Sequence, residues 1–181
     1  MGNIRVEGKK LIYQRKDELT IIEPYGMNCL RCRSTKNSKI LDENWTVLPP
    51  ATADDCHIEC DGRFATITNG AMKATIDAGQ IWYGGIITYL KKDTPVLHTR
   101  FEGDYSNRNQ HIEGDHYKIS VIFDANEGEH FYGIGQEQVD LFDRKGSTSQ
   151  IIHYNTKSTV PVLYSSLGYG FFWNNPSPGR C

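Results

Sequence analysis

Pairs of acidic residues are the first feature of this chain whose type and spacing could do chemistry. Asp54 and Asp55 are adjacent, and Glu127 and Glu129 are two positions apart. Two neighbouring carboxyl groups can act as general acid and general base when their surroundings give them different pKa values. Each pair, however, lies in a polar stretch typical of a solvated turn. We therefore assign no catalytic residue to this sequence.

The five cysteines raise the question of a zinc site. Cys29 and Cys32 form one close pair, and Cys56 and Cys60 form another. Four thiolates can complete a tetrahedral zinc site, but both pairs fall in strand-like runs. On a strand Cys29 and Cys32, three residues apart, would point to opposite faces of the sheet and could not hold one ion. We predict no metal site, no disulfide framework, and cysteines that serve as small buried core residues. The scattered histidines show no metal-ligand spacing either.

Size and charge restrict the class of protein. A chain of 181 residues with a net charge of -2 is long enough for one self-sufficient domain and lacks the basic excess of proteins that bind nucleic acid. It contains neither the apolar run of a secretory leader nor the roughly 20 apolar residues of a membrane span. We expect a cytoplasmic protein that binds neither nucleic acid nor membranes.

Short β-rich segments punctuated by glycine, asparagine, aspartate and proline predict an all-β fold. Asp61-Gly62 and Asn69-Gly70 each separate two such segments and predict hairpins. The predicted strands are 10–15, 19–23, 29–34, 57–60, 64–68, 72–77, 86–90, 95–100, 116–123, 151–154, 160–164 and 170–173. We expect residues 101–115 to form a surface loop, and 135–142 to form at most one helical turn. Such short strands at regular intervals favour a two-sheet sandwich.

The last fifty residues contain an ordered series of short motifs. They are Phe-Tyr-Gly-Ile-Gly-Gln at 131–136, Asn-Thr at 155–156, Val-Pro-Val at 160–162 and Gly-Tyr-Gly-Phe-Phe-Trp-Asn-Asn at 168–175. The order resembles the end of the N-terminal β-sandwich of glycoside hydrolase family 31, the α-glucosidase and α-xylosidase family. Residues 24–45 are similar, more loosely, to an early strand of the same domain and the tryptophan that follows it.

The resemblance implies a two-sheet antiparallel β-sandwich of the galactose-mutarotase-like (supersandwich) fold, with residues 1–181 as a single N-terminal domain. The family's catalytic (β/α)8 barrel would be absent from this chain, since such a barrel takes about 250 residues. In the family both catalytic aspartates lie on that barrel. The resemblance therefore implies that this chain alone is inactive and that it uses no metal or organic cofactor.

A substrate contact is also implied, because in this family a loop of the sandwich reaches the sugar with an asparagine or aspartate. The matching positions are Asn155 and Thr156, whose amide and hydroxyl groups can pair with sugar hydroxyls. An Asx-type turn, in which Asn155 bonds its own backbone, is the alternative. Gln136 stands where the family commonly has glutamate and Asn174 where it frequently has aspartate, so the sugar itself is left open.

The resemblance implies that the chain is a non-catalytic domain of a retaining α-glycosidase. This domain would pack on the catalytic barrel of the same polypeptide and contribute one loop to the pocket that binds the carbohydrate substrate. Two alternatives come from other classes of protein. One is a stand-alone carbohydrate-binding sandwich without hydrolytic activity. The other, more remote, is a mutarotase-like isomerase, which would need a histidine and a glutamate in one groove of the sheet.

Overall fold

The computed structural model describes residues 2–15, 18–44, 46–50, 55–79, 86–99, 108–113 and 116–181. The chain divides into two compact units, Met1–Asp124 (unit 1) and Ala125–Cys181 (unit 2). All regular elements in the described ranges are strands, and all their pairings are antiparallel. In unit 1 the strands are β1 (Asn3–Glu7), β2 (Lys10–Arg15), β3 (Glu18–Pro24), β4 (Leu30–Thr35), β5 (Cys56–Cys60), β6 (Phe64–Asn69), β7 (Met72–Asp77), β8 (Ile86–Lys91), β9 (Thr94–His98), β10 (Arg108–Glu113) and β11 (His116–Val121).

Unit 1 contains two larger sheets, one of four strands in the order β1-β2-β3-β4 and one of five in the order β5-β6-β7-β8-β9. Strand β7 alternates buried Ala74 and Ile76 with partly exposed neighbours, as a strand with one wet face does. The predicted hairpins at 60–63 and 68–71 are confirmed, and Gly62 and Gly70 supply the positive φ angles of 89° and 57°. The centre of the second turn is one residue later than predicted, because Asn69 ends β6 and pairs with Met72, leaving Gly70 and Ala71 as the turn residues.

The core of unit 1 lies between these two sheets. Leu11, Tyr13 and Ile22 from the first sheet pack in one buried cluster with Ile67 and Ile76 from the second. Full burial of side chains of this size stabilises a fold by roughly 1.5 to 3 kcal/mol each. Two antiparallel sheets sharing one core confirm the predicted all-β sandwich.

Unit 2 is smaller and has two sheets of its own. One has three strands in the order β12-β14-β15, and the other pairs β13 with β16. These strands are β12 (Phe131–Gln136), β13 (Gln150–Ile151), β14 (Ser158–Ser165), β15 (Gly170–Phe172) and β16 (Gly179–Arg180). The middle strand β14 pairs on both sides and so holds the three-stranded sheet together.

The prediction that residues 135–142 form at most one irregular turn is confirmed, since 135–136 end strand β12 and bends follow. Two other predictions about local structure are wrong. Within the predicted loop at 101–115, residues 108–113 form β10, paired with β11; the remaining positions lie outside the described residues. The strand predicted at 151–154 ends at Ile151. No helix in the ranges listed above is long and apolar enough to cross a membrane.

The cysteine prediction is wrong in its burial. Cys29, Cys32, Cys60 and Cys181 are exposed, and Cys56 is partly buried against the core of unit 1. Cys29 also lies one residue before β4 rather than on it. All five thiols are free. Among the described residues, no three histidine, cysteine, aspartate or glutamate side chains converge on a point where they could hold a metal ion.

Candidate functional site

Asn155 and Thr156 occupy the tip of a tight turn in unit 2, formed by residues 154–157 and called here the 154–157 turn. The turn is closed by two backbone hydrogen bonds between its end residues, with the Lys157 amide donating to the Tyr154 carbonyl at 2.8 Å and the Tyr154 amide donating to the Lys157 carbonyl at 3.3 Å. Neither tip residue has a positive φ angle. The backbone conformation of this turn therefore does not demand asparagine at 155.

The side chains of Asn155 and Thr156 are both exposed. Within the described part of the chain, neither side chain makes a hydrogen bond or an ion pair. The side-chain-to-backbone bond of an Asx-type turn is thus absent at Asn155. An amide and a hydroxyl side by side on a closed turn leave their donors and acceptors available to a polar ligand.

Three contacts hold the turn from behind. The Tyr154 hydroxyl donates to the Gln150 side chain at 2.7 Å. The Lys157 ammonium lies 5.9 Å from the centre of the Tyr154 ring and pairs with the Glu137 carboxylate. The side chains of Tyr154 and Lys157, which flank the tip, are therefore held by their own hydrogen bond and ion pair.

Glu137 is the centre of a largely buried polar cluster that we call the Glu137 cluster. Arg144 donates to its carboxylate at 2.7 Å, Ser149 donates at 3.0 Å, and Lys157 completes the set. The side chains of the three charged members are only 10 to 11% exposed. The hydrogen bond from Lys157 holds the pKa of Glu137 below its ordinary value, against the opposing effect of burial.

A bulge in the β12–β14 pair sets the register that brings this cluster together. Gly133 and Gly135 have φ angles of 116° and 88°, and Ile134 between them has 68° and is buried. Gly133 pairs with Leu163, but Gly135 pairs with Thr159, so β14 has three residues opposite Ile134 alone. Pro161, which has no amide hydrogen, lies in that interruption, as proline in a sheet usually must.

After the bulge, Gln136 pairs with Ser158. In an antiparallel pair the next residue of one strand lies opposite the preceding residue of the other, so Glu137 comes beside Lys157. The sequence motif at 131–136 therefore determines the position of the Glu137 carboxylate relative to the 154–157 turn, through the register of the β12–β14 pair.

A second buried carboxylate belongs to Glu129, which is 3% exposed. Ser165 and Tyr169 donate hydroxyl hydrogen bonds to it at 2.5 and 2.6 Å, and Asn126 donates at 3.0 Å. Burial alone would raise the pKa of Glu129, but these hydrogen bonds outweigh it and hold the pKa below its ordinary value. Burial and the bond to Glu129 raise the pKa of Tyr169.

The acidic pairs of the sequence have different outcomes. Glu127 and Asp55 are exposed, as solvated turns require. Glu129 is buried and fully engaged, so the solvated-turn interpretation is wrong for this residue. Asp54 lies outside the described residues.

One face of the three-stranded sheet in unit 2 carries aromatic side chains, and we call it the aromatic face. Tyr132 pairs with Tyr164 and Val162 pairs with Phe172, and alternate residues of a strand share a face. Phe142 packs on Tyr132 with ring centroids 4.9 Å apart. Phe142 and Tyr164 are 84% and 61% exposed. Clustered exposed aromatic surface is typical of interaction sites.

The described strands pair throughout as antiparallel sheets, with a glycine bulge and an exposed polar turn in unit 2. The family model described as "Glycosyl hydrolase 31 N-terminal galactose mutarotase-like domain" matches residues 18–181. The chain belongs to this family of glycoside hydrolase 31 N-terminal domains, which confirms the resemblance drawn from the C-terminal motifs.

Individual relatives agree with the family assignment. An uncharacterized family 31 glucosidase from Pseudescherichia vulneris is 29% identical over 88% of this chain, which covers 33% of that protein. Alpha-xylosidase A from Aspergillus niger is 34% identical over 37% of this chain and 9% of its own length. The chain thus spans about a third of the length of the first of these relatives.

Solved structures of similar fold come from the same family. A GH31 alpha-xylosidase from a soil metagenome, complexed with xylose, superposes with a TM-score of 0.89 and 25% identity, covering 98% of this chain and 28% of that enzyme. A GH31 dextranase from Flavobacterium johnsoniae superposes with a TM-score of 0.74 at 15% identity, over 99% of this chain and 23% of its own. The second comparison supports the fold alone.

Proposed function

We propose that this chain is the non-catalytic N-terminal domain of a retaining α-glycosidase that acts on terminal α-linked xylosides or glucosides. The observation that carries the proposal is the family match over 18–181 together with the large part of each relative that lies outside this chain. A retaining glycosidase needs two carboxyl groups about 5 to 5.5 Å apart. In the proposed enzyme a catalytic barrel in the same polypeptide supplies them, without a metal or organic cofactor.

The aromatic face is the surface through which we propose that this domain packs on the barrel. Its exposed Tyr164 and Phe172 lie on the same side of the sheet as Tyr132. Burying aromatic side chains is the main favourable term in interfaces within one polypeptide, which are otherwise polar. A further domain of the same chain is the occupant because the relatives extend well beyond the matched region.

Asn155 and Thr156 are the proposed substrate contacts. The support for this role is that both side chains are exposed at the tip of a turn that does not need them for its own closure. The exposed amide presents both a donor and an acceptor, which suits the vicinal hydroxyls of a sugar. In this role the turn forms one wall of the pocket.

The isolated 181-residue chain is expected to show no turnover of p-nitrophenyl α-xyloside or α-glucoside, because it lacks both catalytic carboxylates. The full-length product of the gene is expected to hydrolyse at least one of them with retention. The assay measures nitrophenolate release by both proteins at equal concentration. A full-length product that binds sugar without hydrolysing it would favour the carbohydrate-binding alternative. Turnover by the isolated chain, abolished by replacing one of its own acidic residues, would contradict the non-catalytic role.

Replacing Asn155 with alanine in the full-length protein is expected to lower kcat/KM by about 2- to 13-fold, the usual effect of one lost hydrogen bond of about 0.5 to 1.5 kcal/mol. The melting temperature should change by less than about 2 °C, as for other exposed substitutions. Asn3→Ala, at an exposed position of β1, is the matched control and should leave both values unchanged. A lower melting temperature with unchanged kcat/KM would identify Asn155 as a turn former instead.

A further inference from the structure

We propose that Glu137 is a positioning residue, which holds the 154–157 turn so that Asn155 and Thr156 face the ligand. The inference rests on the proposed substrate role of those two residues. It adds a residue that does not itself touch the sugar. Glu137 acts through Lys157, the residue directly after Thr156.

The geometry makes Lys157 the link between the carboxylate and the turn. Its backbone amide closes the turn by donating to Tyr154, while its ammonium pairs with Glu137. One residue thus carries both the closing hydrogen bond and the anchoring ion pair. A movement of the Lys157 side chain is transmitted directly to the backbone of the tip.

The charge balance of the Glu137 cluster explains why the anchor depends on the carboxylate. One anion faces two cations, Arg144 and Lys157, and all three side chains are about nine-tenths buried. Charges this far from water are screened little, and removing one partner of a buried pair leaves the other uncompensated. Without the carboxylate charge, two cations would share the cluster. Lys157, which has the flexible stem, would move toward water and release the turn.

Amide hydrogen exchange in the full-length protein tests the positioning step without any assay of activity. Glu137→Gln keeps the shape of the side chain but removes its charge. We expect peptides that cover 152–159 to exchange faster by on the order of tenfold, because the closing bond of the turn opens more often. Glu127→Gln makes the same chemical change at an exposed position of unit 2 and should leave the exchange unchanged. Unchanged exchange in Glu137→Gln would overturn the inference.

Lys157→Met supplies an independent variant for the same step. It removes the ammonium and keeps the stem, so it should accelerate exchange over 152–159 to a similar extent. The double variant Glu137→Gln/Lys157→Met should exchange no faster than Lys157→Met alone, since both changes break the same link. Additive acceleration would show that Glu137 holds the turn by another route and would contradict the proposal.

A kinetic cycle with Asn155→Ala separates positioning from general stability. Glu137→Gln alone should lower kcat/KM about as much as Asn155→Ala does, at a temperature well below the melting transition. In the Asn155→Ala background, the further loss from Glu137→Gln should fall to less than about twofold, because the contact it positions is already gone. An equal loss in both backgrounds would show a merely structural role. Should Asn155→Ala itself have no effect, the substrate role fails, while the exchange data still decide whether Glu137 holds the turn.

Discussion

Replacing Glu129 with alanine is expected to lower the free energy of unfolding by about 3 to 5 kcal/mol. The change leaves the Tyr169 and Ser165 hydroxyls buried without their acceptor, and each such orphaned group costs about 1 to 3 kcal/mol. It also removes the carboxylate that lies 3.7 Å from the Lys145 ammonium. Urea unfolding followed by tryptophan fluorescence measures the loss.

Glu127→Ala is the matched control for this experiment, since it removes an exposed carboxylate two positions away. It should change the free energy of unfolding by no more than about 0.5 kcal/mol. Tyr169→Phe removes only one of the hydrogen bonds to Glu129, so its loss of unfolding free energy should lie between those of Glu127→Ala and Glu129→Ala. About 1 kcal/mol is the net contribution of one hydrogen bond. If the unfolding free energies of Glu129→Ala and the control differ by less than that, the buried network contributes little to stability.

The pH dependence of the same measurement follows from the lowered pKa of Glu129. A carboxyl group whose pKa is lower in the folded state contributes stability that is present above its unfolded pKa and is lost as the pH falls through its folded pKa. The stability of the natural protein should therefore decline on acidification below about pH 4.3, the usual pKa of glutamate. Glu129→Gln should decline less steeply over that range.

Replacing Gly135 with alanine is expected to cost about 3 kcal/mol or more of unfolding free energy. A Cβ atom at this position would lie 2.3 Å from the Ser158 carbonyl oxygen and 2.6 Å from the Val160 amide nitrogen. Both are backbone atoms of the paired strand, so neither can move aside without breaking the β12–β14 register. Overpacking of this kind typically costs about 1 to 3 kcal/mol, and the φ angle of 88° adds about 1 to 2 kcal/mol.

Gly128→Ala separates the two contributions. Gly128 also has a positive φ angle, 67°, but a Cβ atom there would meet nothing within 4 Å. Its replacement should cost only the conformational part, about 1 to 2 kcal/mol. Equal losses for the two glycines would show that close approach of the strands is not what requires Gly135. The measurement is again urea unfolding, with both variants compared in the same buffer.

The parts of the fold that were predictable are those governed by local sequence. Strand β7 follows directly from alternating residues at 72–77, and the turn at 61–62 follows from Asp-Gly. The structure adds why aspartate suits that turn, since the Asp61 carboxylate accepts from the Arg63 and Phe64 amides at 2.9 and 2.6 Å. In such segments the residues that form the sequence pattern are the same few residues that form the strand or the turn.

The features that the sequence did not reveal depend on partners far along the chain. Glu129 is bonded by hydroxyls 36 and 40 positions away, so nothing in its own neighbourhood marks it as buried. Glu137 likewise meets Lys157 only because of the bulge and its register. Strand β12 was missed because its two glycines are typical of a turn, whereas here they form a bulge within a pair.

The bulge at 133–135 also has a consequence for how such domains diverge in evolution. Its glycines are required by contacts with backbone atoms of β14 and not by the side chains exposed on the 154–157 turn. Substitutions at 155 and 156 would therefore leave the bulge intact, so the proposed sugar contacts can change while the fold is kept. The motif at 131–136 thus reports the fold and not the sugar that the proposed enzyme accepts.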